Sequence, residues 1–471
     1  MAQWKTNDIL QALGLINSNS DFYATGISID TRSLKPGELY VAIKGNRLDG
    51  HDFIKDAFSK GAAGVVVSTL SPGLEDKSYF LVDDTLKALN KFASHARSKT
   101  AAKVIGITGS VGKTTAKEWL AHALSSFGKT VFSKESHNNH WGVPLSVSYL
   151  GSETEFGVFE LGMNNPGEIG PLSNLVQPDI AVITTIAEGH IGHFDSLEQI
   201  AREKANIFSG LKNGGSVILN CDNPQFTLLE TLAKNKGITN IITVGKTEGA
   251  VAQLMEYQEN TNDYTSTITA NVKGQKLQYQ LPLIGEHYAF TSLVVLACVN
   301  ELGLCINKAA KALATIKPLK GRGLQQKITL LNGISITLVD DAYNANPASM
   351  KAGLNVLSSM TSSSPKARKI AVLGEMLELG DKSPEYHRDL LDAVKNSGVN
   401  LVFGAGAEIK HLFDVLPKDL QGGFELKARA LIPHILSQLQ DGDVLFVKGS
   451  KGSNVNVIVD HLLSQPSTAA A

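Results

Sequence analysis

The sequence predicts an α/β protein in three domains: a small N-terminal α/β domain, a central P-loop domain on a mostly parallel sheet, and a C-terminal Rossmann-like α/β domain. Three observations carry this. Short apolar runs alternate with helical patterns along most of the chain, as in a parallel sheet covered on both faces. A glycine-rich turn, Gly106-Ile107-Thr108-Gly109-Ser110-Val111-Gly112-Lys113-Thr114-Thr115, stands between an apolar run and a helical pattern. The 471 residues suffice for about three domains, and the pattern breaks divide them into 1–83, 84–316 and 317–471.

In the first domain, residues 7–13 form a short helix stopped by Gly14, and 38–43 and 62–67 read as strands around a helix at 52–60. Residues 85–96 carry helical spacing and lead to the loop. Residues 104–107 read as a strand, and Ala116, Trp119, Leu120, Ala123 and Leu124 place a helix directly after the turn. Strands are expected at 156–161, 180–186, 217–220 and 238–244; 265–272 and 276–283, parted by Lys273-Gly274-Gln275, read as an appended hairpin. Helices at 288–302 and 308–316 close this domain, and Pro318 with Gly321-Arg322-Gly323 marks a hinge. The third unit has strands at 334–339, 370–373, 400–403 and 444–447, an exposed loop at 361–365 and a disordered tail at 465–471.

Composition narrows the class. With 43% apolar and 19% charged residues and a net charge of −1, no general attraction to nucleic acid or anionic membrane is expected. Three scattered cysteines, Cys221, Cys298 and Cys305, exclude a disulfide framework or zinc finger. The N-terminus lacks an apolar signal segment and no run of 18 apolar residues follows, so a cytoplasmic enzyme without membrane insertion is expected.

The glycine-rich turn carries the chemistry. Between strand and helix it aims free backbone N–H groups and the positive helix end at one point. Lys113 at that end is unfavourable unless an anion lies in the loop, and Thr114 offers a hydroxyl where a phosphate-held Mg²⁺ would sit. The general pattern G-x-x-x-x-G-K-[ST] places glycine where Ile107 stands; here Gly109 serves instead.

Other candidates follow strand ends, where open α/β sheets place ligands. Glu160 ends one strand as a metal-holding carboxylate would, or simply caps it. His137 and His140, and His190 and His193, form pairs three apart that suit zinc, although neither pair lies in a helical H-E-x-x-H. Asp195-Ser196-Leu197-Glu198 reads as a capping box, and Lys204 on the helix it starts reads as a solvated or snorkelling lysine. Asp340-Asp341-Ala342-Tyr343-Asn344-Ala345-Asn346-Pro347 suits a ribose, an adenine or a polar substrate, or a turn built for backbone reasons. Phe403-Gly404-Ala405-Gly406 is a lone G-x-G and a weak dinucleotide signal.

The order of motifs resembles the Mur ligases, ATP-dependent amide-forming enzymes of peptidoglycan synthesis related to folylpolyglutamate synthases. It comprises the T-G-x-x-G-K-T loop, Asn138-Asn139 with Gly142-Val143-Pro144, Glu160-Leu161-Gly162, His190 and Lys204. The likeness covers nearly the whole chain. Asp30-Thr31-Arg32-Ser33, Gly45 and Asp49-Gly50-His51 resemble the family's UDP-muramoyl-peptide-binding domain. Asp341 to Pro347 and Leu373-Gly374-Glu375-Met376-Leu377-Glu378-Leu379-Gly380 resemble the members that add D-alanyl-D-alanine, and the D-N-P-R motif of the third-residue-adding members is absent from this segment.

The resemblance implies roles. Gly109, Ser110, Val111, Gly112, Lys113, Thr114 and Thr115 would hold the ATP phosphates, with Arg322 and Asp341 reaching the nucleotide from the third domain. Thr114 and Glu160 would hold one Mg²⁺, and His190 and a carbamylated Lys204 a second. Thr31, Arg32, Ser33, Gly45, Asp49, His51, Asn138, Asn139, Asn344 and Asn346 would meet UDP-N-acetylmuramoyl-tripeptide or D-alanyl-D-alanine, joined by a monomeric enzyme through an acyl phosphate. Two departures stand out: Lys451 replaces arginine in Lys448-Gly449-Ser450-Lys451, and Tyr288 and Thr291 replace the asparagines of an adenine-positioning G-x-H-N-x-x-N stretch. Rival readings are a folylpolyglutamate-type amide ligase and a non-catalytic P-loop switch; no N-K-x-D guanine motif occurs.

Overall fold

A computed structural model describes residues 4–16, 21, 23–45, 47–70, 74, 76–134, 136–261, 263–360 and 367–464. The loop expected at 361–365 and the tail at 465–471 lie outside the described residues. Among the described residues the main sheets hold four, nine and six strands.

The first sheet runs β1 (Ile27–Ser28), β2 (Leu39–Val41), β3 (Gly64–Val67), β4 (Tyr79–Leu81), all parallel. Tyr40, Val65 and Val67 pack with Ile54 and Ala57 in a small core on one face. Leu39, Val41 and Val66 face the other way, onto α1 (Thr6–Leu13) and α2 (Thr85–Ser98). That second core continues into Val104, Val147 and Phe159 of the central domain, so no solvent layer separates the two.

The central domain contains β5 (Lys103–Thr108), α3 (Lys113–Ser125), β6 (Thr130–Phe132), α4 (Gly142–Val147), β7 (Phe156–Glu160), β8 (Ile180–Ile183), α5 (Leu197–Ala205), β9 (Ser216–Asn220), β10 (Asn240–Gly245), β11 (Ala252–Asn260), β12 (Thr265–Val272), β13 (Gln275–Leu281) and α6 (Glu286–Glu301). The sheet order is β13-β12-β11-β10-β9-β8-β5-β7-β6, parallel from β6 to β11 and antiparallel beyond. β5, β7 and β8 are almost wholly buried, as strands covered on both faces must be. From β5 the chain moves out to β6, returns through β7 and crosses to β8, which opens a crevice at the carboxyl end of β5. The expected hairpin is two-thirds of a three-stranded extension. Its first strand, β11, escapes a pattern reading because Glu256, Gln258 and Asn260 face out on it.

The third domain orders β14 (Leu324–Thr329), β15 (Ser335–Asp341), β16 (Lys369–Gly374), β17 (Leu401–Ala405), β18 (Gln421–Glu425) and β19 (Val444–Lys448) as β14-β15-β19-β16-β17-β18. Only β14 is antiparallel. The four expected strands form the middle; β14 and β18 are half-buried edges without apolar runs. Helix α7 (Pro347–Ser359) follows β15. No helix among the described residues is long and apolar enough to cross a membrane.

Candidate active site

The loop between β5 and α3 needs glycine for space as well as conformation. Gly109 sits at φ 146°, and a Cβ there would lie 2.0 Å from Thr184 Oγ1 beyond the end of β8. Neighbouring strand ends hold the loop: Ser110 N–H donates to Thr185 O at 2.7 Å, the Ser110 hydroxyl donates to Ala187 O at 2.8 Å, and the Thr184 hydroxyl donates to Val111 O at 2.6 Å. Gly112, at φ 83°, leads into α3.

Two side chains meet at Thr114, and a third holds one of them. The Thr114 hydroxyl donates to Glu160 Oε2 at 2.8 Å and accepts from Arg322 Nη2 at 3.0 Å, while Glu160 Oε1 accepts from Asn138 Nδ2 at 2.7 Å. Glu160 is thereby a buried, oriented carboxylate at a strand end, not a solvated cap. Asn138 belongs to that carboxylate, and Asn139 Oδ1 accepts from Trp141 N and Gly142 N at the start of α4.

Two lysines enter the same space. The Lys113 amine folds back over the loop, donating to Gly109 O at 2.8 Å. Burial lowers its pKa, with Glu160 opposing and Arg322 adding to the effect. Lys204 on α5 is 1% exposed, which excludes a snorkelling residue. Burial drives its amine well below the ordinary lysine value, and the Lys113 charge pushes the same way against Glu203 and Glu160. Burial that disfavours the charged amine favours the nucleophilic form that carbamylation requires, so Lys204 fits the role the family resemblance implies for it. The loop carrying His190 comes from the end of β8, and His190 Nδ1 lies 2.5 Å from Glu378 Oε2 without the alignment of a straight hydrogen bond.

The third domain closes the site. Gly321 N and Gly323 N donate to Asp340 Oδ2 and O at 2.7 and 2.8 Å, which places the Arg322 guanidinium 4.3 Å over the Tyr343 ring. The Tyr343 hydroxyl reaches Ser136 of the central domain at 2.5 Å. Asp341 accepts from Lys448 Nζ at 2.7 Å; burial raises its pKa and Lys448 opposes the rise. Lys448 also donates to Asn344 O at 3.0 Å, leaving the Asn344 side chain exposed. Asn346 caps α7 in a reciprocal box with Ser349. Lys451 Nζ lies 5.9 Å from the Tyr343 ring, facing the Arg322 stack.

Tyr288 has a structural explanation. Its hydroxyl donates to Arg322 O at 3.0 Å, and its ring packs 5.7 Å from Trp119 and 4.0 Å from His287. It therefore props the hinge. His287 is pushed down to about 4 by burial, reinforced by Lys448.

The N-terminal candidates form a separate group. Arg32, exposed, forks onto Asp30, and Lys60 holds the carbonyl of buried Thr31 at 3.0 Å. Ser33 lies in the same turn, its N–H donating to Asp30 O at 3.2 Å. Asp49 accepts from His51 Nδ1 at 2.6 Å while His51 Nε2 accepts from Ser68 N at 2.9 Å, which fixes the neutral tautomer. Gly45 faces the Trp141 ring, its absent Cβ position 3.3 Å away, and so links this group to the Asn138–Asn139 segment.

Three expectations change. The helix cap at α5 is Ser196, one residue later than expected, which accepts from Gln199 N, while the Gln199 side chain bonds Asp195 and not the cap, so the reciprocal box does not form. In the G-x-G at Gly404–Gly406, Gly404 makes room for the Phe413 ring and Gly406 for the Glu375 carboxylate, which accepts from Glu408 N at 3.0 Å, so both glycines serve packing. The histidine pairs do not assemble a metal cage: no group of three or more His, Cys, Asp or Glu side chains suited to a metal occurs among the described residues. Sequence reasoning missed Ser136, Tyr343 and Asp340 as the parts that aim Arg322; the long polar run after β15 was the available signal.

Comparison with known proteins agrees with this arrangement. Family models match in chain order: Mur ligase family, catalytic domain at 23–97, Mur ligase middle domain at 107–299, and Mur ligase, glutamate ligase domain at 326–451. The chain is 34% identical to the UDP-N-acetylmuramoyl-tripeptide–D-alanyl-D-alanine ligase of Rickettsia prowazekii, over 97% of this chain and 99% of that one. It is also 34% identical to the enzyme of that name from Bacillus subtilis, over 94% and 93%. Crystal structure I of MurF from Acinetobacter baumannii superposes with a TM-score of 0.84 at 25% identity, covering 98% of this chain and 99% of that one. With relatives matched from end to end and the phosphate loop, Glu160 and Lys204 assembled in one crevice, the chain belongs to the Mur ligase family.

Proposed function

We propose that this chain uses ATP to join D-alanyl-D-alanine to UDP-N-acetylmuramoyl-tripeptide, a cytoplasmic step of peptidoglycan synthesis carried out by a monomer. The observation that carries it is the Thr114 hub, where the phosphate loop, the strand-end acid Glu160 and Arg322 of the third domain meet. We assign UDP-muramoyl-peptide binding to residues 1–83, ATP to 84–316, and the dipeptide with part of the nucleotide to 317–471.

The tripeptide carboxylate attacks the γ-phosphorus, forming an acyl phosphate and releasing ADP. The dipeptide amine then attacks the acyl carbon, a tetrahedral intermediate collapses to the amide, phosphate leaves, and the amine proton goes to solvent. Carboxylate and phosphate repel, so catalysis is mainly charge neutralisation and positioning. Lys113 and Arg322 supply positive charge from opposite domains, and the loop from Gly109 to Thr115 would cradle the phosphates with those N–H groups not spent elsewhere, Ser110 N being held by Thr185 O. Glu160, held by Thr114 and Asn138, keeps its carboxylate aimed into the crevice. Two Mg²⁺ ions would neutralise phosphate oxygens, one held by Thr114 and Glu160, the other by His190 and carbamylated Lys204. Burial disfavours the charged Lys204 amine, and addition of CO₂ to it with loss of a proton would supply an anionic oxygen ligand there. Thr31, Arg32, Ser33, Gly45, Asp49 and His51 would face the nucleotide sugar, and Asn344 and Asn346 the dipeptide.

Phosphate release should require ATP, UDP-N-acetylmuramoyl-tripeptide and D-alanyl-D-alanine together, with the loss of any one abolishing it. Release without the UDP-sugar, or with GTP alone, would refute the assignment. Lys113→Ala should lose at least about 100-fold in kcat; full activity would exclude the scheme.

A further inference from the structure

Beside the phosphate loop, where Gly189 packs on Ser110, two strained segments meet. His190 and Glu378, neither of them glycine, both hold left-handed backbone, at φ 65° and 63°. Such conformations persist where the surroundings impose them, and here each segment is the other's surroundings. Gly192 N donates to Glu378 O at 2.8 Å, and a Cβ on Gly192 would lie 2.5 Å from Gly380 N and 2.9 Å from Glu378 O. The His190 Nδ1 atom is sealed from solvent, and Glu378 Oε2, 2.5 Å away, is the acid within ion-pair range among the described residues.

The Glu378 segment is itself firmly seated in the third domain. Met376 N donates to His387 Nε2 at 3.0 Å, and Leu377 N donates to Ser450 Oγ at 2.9 Å. His387 is wholly buried, and its Nδ1 donates to Ser383 O at 2.7 Å, so its acceptor nitrogen points at the segment. The contact thus joins a firmly seated segment of one domain to a loop of another, so any closing of the third domain on the central one would bear on it.

We propose that Glu378 is a positioning residue: when the third domain closes, its carboxylate takes the Nδ1 side of His190 and turns Nε2, as the unprotonated nitrogen, toward the crevice. A carboxylate behind a histidine is the arrangement that orients a metal-binding ring. The His190 contribution to the site therefore exists only in the closed enzyme, and the Gly192–Gly380 contact is the surface on which the arm lands. This rests on the assignment of His190 to the second ion.

The test uses the full chain with a non-hydrolysable ATP analogue, reading closure by solution scattering and ion binding by Mn²⁺ electron paramagnetic resonance. Wild type should compact on adding the analogue and bind two Mn²⁺. Glu378→Gln should weaken the second Mn²⁺ by about 10–100-fold and leave the first unchanged. Gly192→Ala, which alters no charge, should reduce compaction and weaken the same ion, guarding against a purely electrostatic explanation. Unchanged compaction and unchanged second-ion affinity in both variants, with melting temperatures at the wild-type value, would overturn the proposal. A wild type that binds two ions with no loss in His190→Ala would instead refute the assignment of His190.

Discussion

A lysine amine buried next to a second lysine is the least comfortable feature of the molecule, and its cost has a definite pH dependence. Lys204 has its folded-state pKa far below the unfolded value near 10.4. Between the two values the unfolded chain binds more protons, so this residue makes stability rise with pH and fall toward acid. Lys204→Met keeps the buried stem and removes the charge. In CO₂-depleted buffer it should melt above wild type, by about 2–4 °C for each kcal/mol recovered. The gap should be wider at pH 6.5 than at pH 9 by differential scanning fluorimetry. The same variant should lose at least about 100-fold in kcat, because the carbamate cannot form. Equal melting curves at both pH values would show that Lys204 is solvated. Gly109→Ala fails for a different reason: its Cβ would collide with Thr184 Oγ1, so ATP binding should be lost together with stability, measurable by calorimetric titration and melting.

Between residue and domain, the helix caps show what a motif can and cannot say. Asn346 was expected at the substrate, yet its Oδ1 accepts from Ser349 N at 2.9 Å as the cap of α7. Its Nδ2 remains on the side of the crevice near Gly189. The two roles separate by substitution. Asn346→Ala should cost about 0.5–2 kcal/mol of stability in denaturant melts. Asn346→Asp, an equal cap, should melt like wild type while raising KM for D-alanyl-D-alanine, if the amide also meets the dipeptide. A wild-type KM in Asn346→Asp would assign the residue to capping alone. The same division governs legibility overall. The buried strands β5, β7 and β8 were readable because parallel strands covered on both faces are unbroken apolar runs. β11 was not, because a strand with a solvated face of Glu256, Gln258 and Asn260 looks like a loop. Thr114, Glu160 and Lys204 were legible as a set through their order along the chain; Lys204 alone read as surface. That Asn138 holds Glu160 was not legible, since only three-dimensional proximity joins residues 22 apart in sequence.

For the molecule as a whole, three domains need not mean three folding units. The N-terminal sheet turns Leu39, Val41, Val66 and Phe80 into a core that runs without a break through α2 to Val104, Val147 and Phe159. The Tyr149 hydroxyl adds a hydrogen bond to Ile27 O at 2.6 Å across the same boundary. The third domain keeps separate cores on the two faces of its sheet, and it meets the rest through a small apolar contact, where Ile284 enters one of those cores beside Ile191 and Tyr264, and through polar contacts at Arg322, Tyr343 and Glu378. Calorimetry of the free enzyme should therefore show two transitions, one for the N-terminal and central domains together and one for the third domain. Phe80→Ala, a truncation in the N-terminal sheet worth about 3–5 kcal/mol, should lower the transition that ADP raises, because Phe80 and the phosphate loop share one cooperative unit. Leu354→Ala, inside the third domain, should lower the other. An independent third transition that moves with Phe80→Ala and ignores ADP would mean that the continuous core does not couple the two domains.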